Sequence, residues 1–227
     1  MTANTPEILN LFKEQLNNQV SSIVKEQLFE NNGYGFAYWY LRNIGGMTDI
    51  EAKEQICDGG GDLGIDAIEI VDEQVIFYQF KNPGSIGKSL EAGDIDKMIS
   101  GLELILGQKH ASIANPELMS RLEDIYAFTP KGYKIVIAAS SLTKIPLDAK
   151  IKLDSFCQKN SGVARDLFQW EYHNLERIHN RFYNAHLPTL EATLDISLSR
   201  QPYMTKVGDH ETYVFDLNGE YLAKLYE

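Results

Sequence analysis

Asp66, Gln79 and Lys81 are the residues whose types and spacing first suggest chemistry. Asp66 opens the run "IDAIEIV", and Gln79 and Lys81 close the run "QVIFYQFK". Both runs are rich in β-branched and aromatic residues, and the polar segment around Asp72–Gln74 separates them. That pattern predicts an antiparallel hairpin. A hairpin sets the start of its first strand against the end of its second, so Asp66 is expected beside Gln79 and Lys81. Residues two apart share a strand face, which puts Gln79 and Lys81 on one side and Tyr78 and Phe80 on the other. Asp66 can bind a hard divalent cation; the Gln79 amide oxygen and the Phe80 backbone carbonyl are neutral oxygens suited to the same ion. Such an ion lowers the pKa of a bound water and stabilises charge on a phosphoryl oxygen. Lys81 can orient that water and stabilise the crowded phosphorus. The plainer readings are Asp66 as a turn residue and Lys81 as a lysine shielding a sheet edge.

The stretch "CDGGGDLGIDAIEI" leads into Asp66. Gly59, Gly61 and Gly64 meet a G-x-G-x-x-G spacing, but a dinucleotide loop must follow a strand and open a helix. Here the loop opens a strand, and Asp58 and Asp62 stand where phosphate charge would sit. Gly59, Gly60, Gly61 and Gly64 are instead expected to shape the turn that delivers Asp66. The lone Gly87-Lys88-Ser89 lacks the first glycine of a Walker loop, because Asn82 occupies that position. The five histidines show no metal-ligand spacing. Trp39 and the tyrosines of "YGFAYWY" fit core positions on a helix better than a base-stacking platform.

With the glycine lead-in, "GIDAIEI…YQFK" resembles the PD-(D/E)xK nuclease motif in its Q-x-K form. "GDLGIDAI" is similar to a segment of Mrr-like restriction endonucleases, and "DGGGDLGIDAI" resembles more closely the N-terminal region of the abortive-infection phage-resistance family. The resemblance spans about residues 30–180. It implies a restriction-endonuclease-like α/β fold and Mg²⁺ or Mn²⁺ as cofactor. It also implies hydrolysis of phosphodiester bonds, in DNA rather than RNA, within a phage-defence protein. Asp66 matches the metal-binding acid, Gln79 the substituted acid and Lys81 the catalytic lysine. An amide carries no charge, so a further acid is expected: Glu30 or Glu26 near the end of the first helix, or Asp62 in the loop. The alternative is a catalytically weak module of the same fold that binds nucleic acid or protein.

Around these residues the chain reads as α/β. A long amphipathic helix is expected over residues 5–30, broken by "NNGYG", with a short aromatic helix following. After the hairpin come a helix over 92–106 capped by Asp94, a buried strand over 133–140, a helix over 146–160, a strand over 166–173 and a helix over 175–185. Together these predict a mixed central sheet flanked by helices. A nuclease-like domain is expected over 1–190 and the start of a following, truncated domain over 191–227, with strands in "EATLDISLSR" and "ETYVFDLNG" and a helix begun by "GEYLAKLYE". The expected partners are DNA, the C-terminal region of a longer parent protein, and a second copy as a homodimer.

Composition limits the choices. The 227 residues are 44% hydrophobic, enough for a substantial core. No apolar run reaches the ~18 residues of a membrane span, the N-terminus lacks signal-peptide character, and Cys57 and Cys157 are too few for a disulfide framework. A cytoplasmic protein without membrane contact is expected. The net charge of −11 opposes tight autonomous DNA binding, which depends on phosphate neutralisation.

Overall fold

In the computed structural model, the described residues are 6–57, 59–88, 90–107, 113–127, 129–162, 167–186, 203–207 and 210–214. The chain divides into two compact units, Met1–Ala185 and His186–Glu227.

The larger unit is built on a four-stranded mixed sheet in the order β1 (Ala67–Val71), β2 (Gln74–Lys81), β3 (Gly132–Ala139), β4 (Phe168–His173). β1 and β2 form the expected antiparallel hairpin, with Ala67 opposite Tyr78 and Val71 opposite Gln74. β2–β3 and β3–β4 are parallel, so their connections must cross over the sheet. Asp72 and Glu73 turn the hairpin with positive φ, +50° and +62°, as a two-residue turn of primed type requires.

Side-chain alternation divides the sheet between two helical layers. Tyr78, Phe80, Val136 and Ala138 face α1 (Pro6–Gln27), α2 (Asn32–Asn43) and α7 (Leu175–His186), whose Phe12, Leu16, Phe36, Trp39 and Ile178 fill that core. Val75, Phe77, Ile135 and Ile137 face α4 (Ala92–Leu106), α5 (Pro116–Tyr126) and α6 (Leu147–Ser161). Met98, Leu102, Leu118, Leu122 and Leu153 complete this second core. Gln79 and Lys81 belong by alternation to the α4 side.

Several expectations shift. "NNGYG" does not break a helix: α1 stops at Gln27, Leu28 takes φ +60°, and α2 starts at Asn32. Asn31 is the reason, because its side-chain oxygen accepts from the Gly33 and Tyr34 amides and caps α2. Asp94 does not cap α4. The cap position is Glu91, without a side-chain hydrogen bond, and Asp94 lies inside the first turn. Two helices go beyond the expected elements: α3 (Asp49–Gln55), closed by a Thr48–Glu51 capping box, and α5, capped by Asn115 with Pro116 at its start. Trp39, Tyr34, Tyr38 and Tyr40 are buried, in keeping with their core reading.

A polar cluster interrupts the α2–α7 layer. The Tyr40 hydroxyl hydrogen-bonds to His173 Nδ1, and His173 Nε2 lies 2.8 Å from Glu171, which also binds Lys134 at 2.5 Å and Arg177. Burial pushes His173 down to about 4, so its Nε2–H donates to Glu171 while Nδ1 accepts from Tyr40. Burial pushes Glu171 up, but hydrogen bonds from His173 and Lys134 offset this and hold it at about 2.

In the smaller unit, β5 (Tyr203–Val207) and β6 (His210–Val214) form an antiparallel pair. β6 and the expected strand in "ETYVFDLNG" overlap; "EATLDISLSR" and "GEYLAKLYE" lie outside the described residues. Among the described residues no helix is long and apolar enough to cross a membrane.

Candidate active site

Asp66 stands immediately before β1, held from both sides. Its N–H donates to the Tyr78 carbonyl at 2.9 Å, and its own carbonyl accepts from Cys57 N–H at 2.9 Å. Its carboxylate Oδ2 accepts from Phe80 N–H at 2.6 Å. The hairpin therefore brings Asp66 to the end of β2. In an extended strand the N–H and C=O of one residue leave the same edge, so the Phe80 carbonyl points to the edge where Asp66 sits.

Two glycines allow the approach. Gly64 has φ +76°, and a Cβ there would come within 3.0 Å of Met98 N on α4. Gly101, one turn further along α4, lies against Leu63, where a Cβ would come within 2.6 Å of both Leu63 Cβ and its carbonyl oxygen. The loop thus packs directly on the backbone of α4. Gly59 and Gly61 also take positive φ, while Gly60 does not. The Tyr34 hydroxyl clamps Gly59 by accepting from its N–H and donating to its carbonyl, and Asn115 Nδ2 reaches the Gly60 carbonyl.

The amide of Gln79 is 2% exposed. Its Nε2 donates to the Asp94 carbonyl at 3.3 Å, while Oε1 is buried with no hydrogen-bond partner. An unmatched buried acceptor costs about 1–3 kcal/mol, so Oε1 marks a place where a donor or a cation fits. Lys81 Nζ lies 2.8 Å from Asp94 Oδ1, with both side chains about one-third exposed. Asp94 is the acid that sequence reasoning misplaces. Its signal is an aspartate in the first turn of the helix after the hairpin, which locally resembles a cap.

Asp62 Oδ1 accepts from Gly64 N–H at 2.8 Å and pairs with Lys97 at 2.6 Å. It therefore shapes the turn and reaches Asp66 through its charge. Burial is the main influence on Asp66 and pushes its carboxyl up to about 6; the Phe80 N–H opposes this, Asp62 adds to it, and Lys81 and Lys97 oppose it. Glu30 is exposed beyond the end of α1, and Glu26 is exposed and accepts from Ser22. Neither is joined to Asp66, Gln79 or Lys81 by a hydrogen bond or ion pair.

Among the described residues no three His, Cys, Asp or Glu side chains converge as a metal-binding group. At this end of β2 the Asp66 carboxylate is docked on Phe80 N–H and Gln79 Oε1 is unmatched; with the Phe80 carbonyl these are oxygen types suited to a hard, partly hydrated cation. Cys57 and Cys157 are both buried free thiols, pushed up by burial to about 12 and about 11, and are not nucleophiles at neutral pH. Beside Lys81 and Asp94 opens a cavity of about 260 Å³. Compared with family models, characterised proteins and solved structures, the chain matches none of them.

Proposed function

We propose that this chain carries a divalent-metal-dependent nuclease domain that hydrolyses phosphodiester bonds, with DNA as substrate and phage defence as its setting. The observation that carries the reading is the buried, unmatched Gln79 Oε1 on the strand that also presents Lys81, with Asp66 docked on that strand's end. Asp66, Gln79 and the Phe80 carbonyl would hold Mg²⁺ or Mn²⁺. The ion, when bound, supplies an activated water and charge stabilisation at phosphorus. Asp66 is held in place by Phe80 N–H and needs its proton removed to act as a ligand, which its raised pKa makes pH-dependent. Lys81 is held in a fixed direction by Asp94, and its Nζ can face a phosphoryl oxygen at the cavity mouth.

The second reading, a binding module with weak or no catalysis, draws support from the Lys81–Asp94 ion pair, which already occupies both groups. Plasmid cleavage with Mg²⁺ or Mn²⁺ separates the two. Wild type is expected to nick the DNA, with losses of about a hundredfold or more in Asp66→Asn and Lys81→Met. Equal cleavage by wild type and Lys81→Met overturns the catalytic assignment. DNA retention without cleavage by wild type supports the binding module.

A further inference from the structure

Lys13 lies on α1, far along the helix from Glu26 and from Glu30 beyond its end, the acids that the sequence singles out. It is 4% exposed, and no carboxylate among the described residues lies within ion-pair distance of it. Its Nζ is 2.6 Å from Asn82 Oδ1 and 2.5 Å from Ser140 Oγ, and Ser140 Oγ in turn is 2.5 Å from Asn82 Oδ1. Asn82 directly follows β2 and Ser140 directly follows β3, and the Ser140 N–H to Lys81 carbonyl bond of 2.9 Å ties those strand ends together.

This triad fixes the orientation of one amide. An ammonium can only donate, so the Asn82 oxygen must face Lys13. The Asn82 Nδ2 donors are then what remains for its other side, and they find no acceptor among the described residues. Asn82 lines the 260 Å³ cavity together with Lys81, Lys88, Asp94, Glu91 and Ser141. Lys81 is paired with Asp94, and Lys88 lies 3.8 Å from Glu91, so the charges on the cavity wall cancel in pairs. The uncancelled charge is Lys13, directly behind Asn82. A buried cation without a counter-ion is costly, and burial pushes the Lys13 ammonium down to about 8. An anion in the cavity relieves that cost.

We propose that this cavity is a phosphate subsite, in which Asn82 Nδ2 donates to an oxyanion and Lys13, behind it, orients the amide and supplies the net positive charge. The assignment deepens the nuclease reading and rests on it for the ligand: a backbone phosphate of the nucleic acid, adjacent to the one facing Lys81. Lys13 is a positioning residue here, since it acts through Asn82.

The test uses inorganic phosphate without metal, followed by NMR at the Asn82 side-chain amide, with chloride at matched ionic strength as control. Phosphate is expected to shift the Asn82 Nδ2 signals saturably, and Lys13→Met to weaken binding about tenfold or more. Asn82→Asp is the second variant. It offers Lys13 a counter-ion, so thermal stability holds or rises, yet it removes both donors, so phosphate binding is lost, as read in every variant at the backbone amides of Lys81 and Ser141, which line the same cavity. Failure of phosphate to shift those signals, or unchanged affinity in a folded Lys13→Met or Asn82→Asp protein, overturns the proposal. Repeating the titration in Asp66→Asn keeps the two readings apart. Phosphate binding there alongside no plasmid cleavage by wild type leaves the subsite standing and removes the nuclease; cleavage by wild type without phosphate binding does the reverse.

Discussion

Replacing Asp66 by asparagine isolates the free energy of one buried charge. Burial lifts its carboxyl from the ordinary 3.8 to about 6, against the opposing Phe80 N–H, Lys81 and Lys97. Between those two values the folded chain holds a proton that the unfolded chain has released. Stability therefore falls as pH rises through that interval, by about 1.4 kcal/mol per unit and about 2–3 kcal/mol in total. The substituted amide keeps an oxygen to accept from Phe80 N–H and carries no charge, so the variant lacks this slope. His173 works in the opposite sense: held neutral by burial, it removes stability as pH falls from 6.5 towards about 4. The difference between wild type and variant cancels His173 and leaves Asp66. The assay is urea unfolding of both proteins at several pH values from about 4 to about 7, in chelator. Wild type is expected to lose about 2–3 kcal/mol relative to Asp66→Asn across that range. Millimolar Mg²⁺ near neutral pH should restore stability to wild type and leave the variant unchanged, because binding to the folded state alone stabilises it. Parallel pH curves for the two proteins would refute the desolvation argument, and equal Mg²⁺ responses would refute Asp66 as a ligand.

Gln79→Glu places an anion where Oε1 is unmatched. It is expected to tighten Mn²⁺ binding about tenfold or more by calorimetry and to lower stability without metal, because the new charge is buried. Gly101→Ala drives a methyl against Leu63 Cβ and the Leu63 carbonyl; a loss of about 1–3 kcal/mol in urea unfolding is expected, with plasmid cleavage falling as the Asp66 loop shifts. Tyr40→Phe leaves His173 Nδ1 without its hydroxyl partner in the buried cluster, at about 1–3 kcal/mol in thermal or urea unfolding, with cleavage unaffected because the cluster lies on the other side of the sheet from Gln79 and Lys81.

The hairpin, the alternation of strands with helices and the return of Asp66 to the end of β2 were legible in the sequence. Each follows from short-range rules: β-branched runs make strands, a two-residue turn pairs their ends, and a period of two assigns faces. The aromatic run around Trp39 declared its core role by the same logic, at helical spacing. The roles of Asp94, Lys13 and Gly101 were not legible, because each depends on elements distant in the chain. Asp94 carries cap-like local chemistry, and only the docking of α4 against β2 turns its carboxylate to Lys81. Lys13 reads as one more solvated lysine of an amphipathic helix until packing buries it against Asn82 and Ser140, 69 and 127 residues away. Gly101 is a poor helix former by local propensity, and its use emerges only when Leu63 lies on its backbone. Residue type and spacing set which groups could react; burial and the distant partners it imposes decided which carry uncompensated charge, because desolvation is a property of the packed whole.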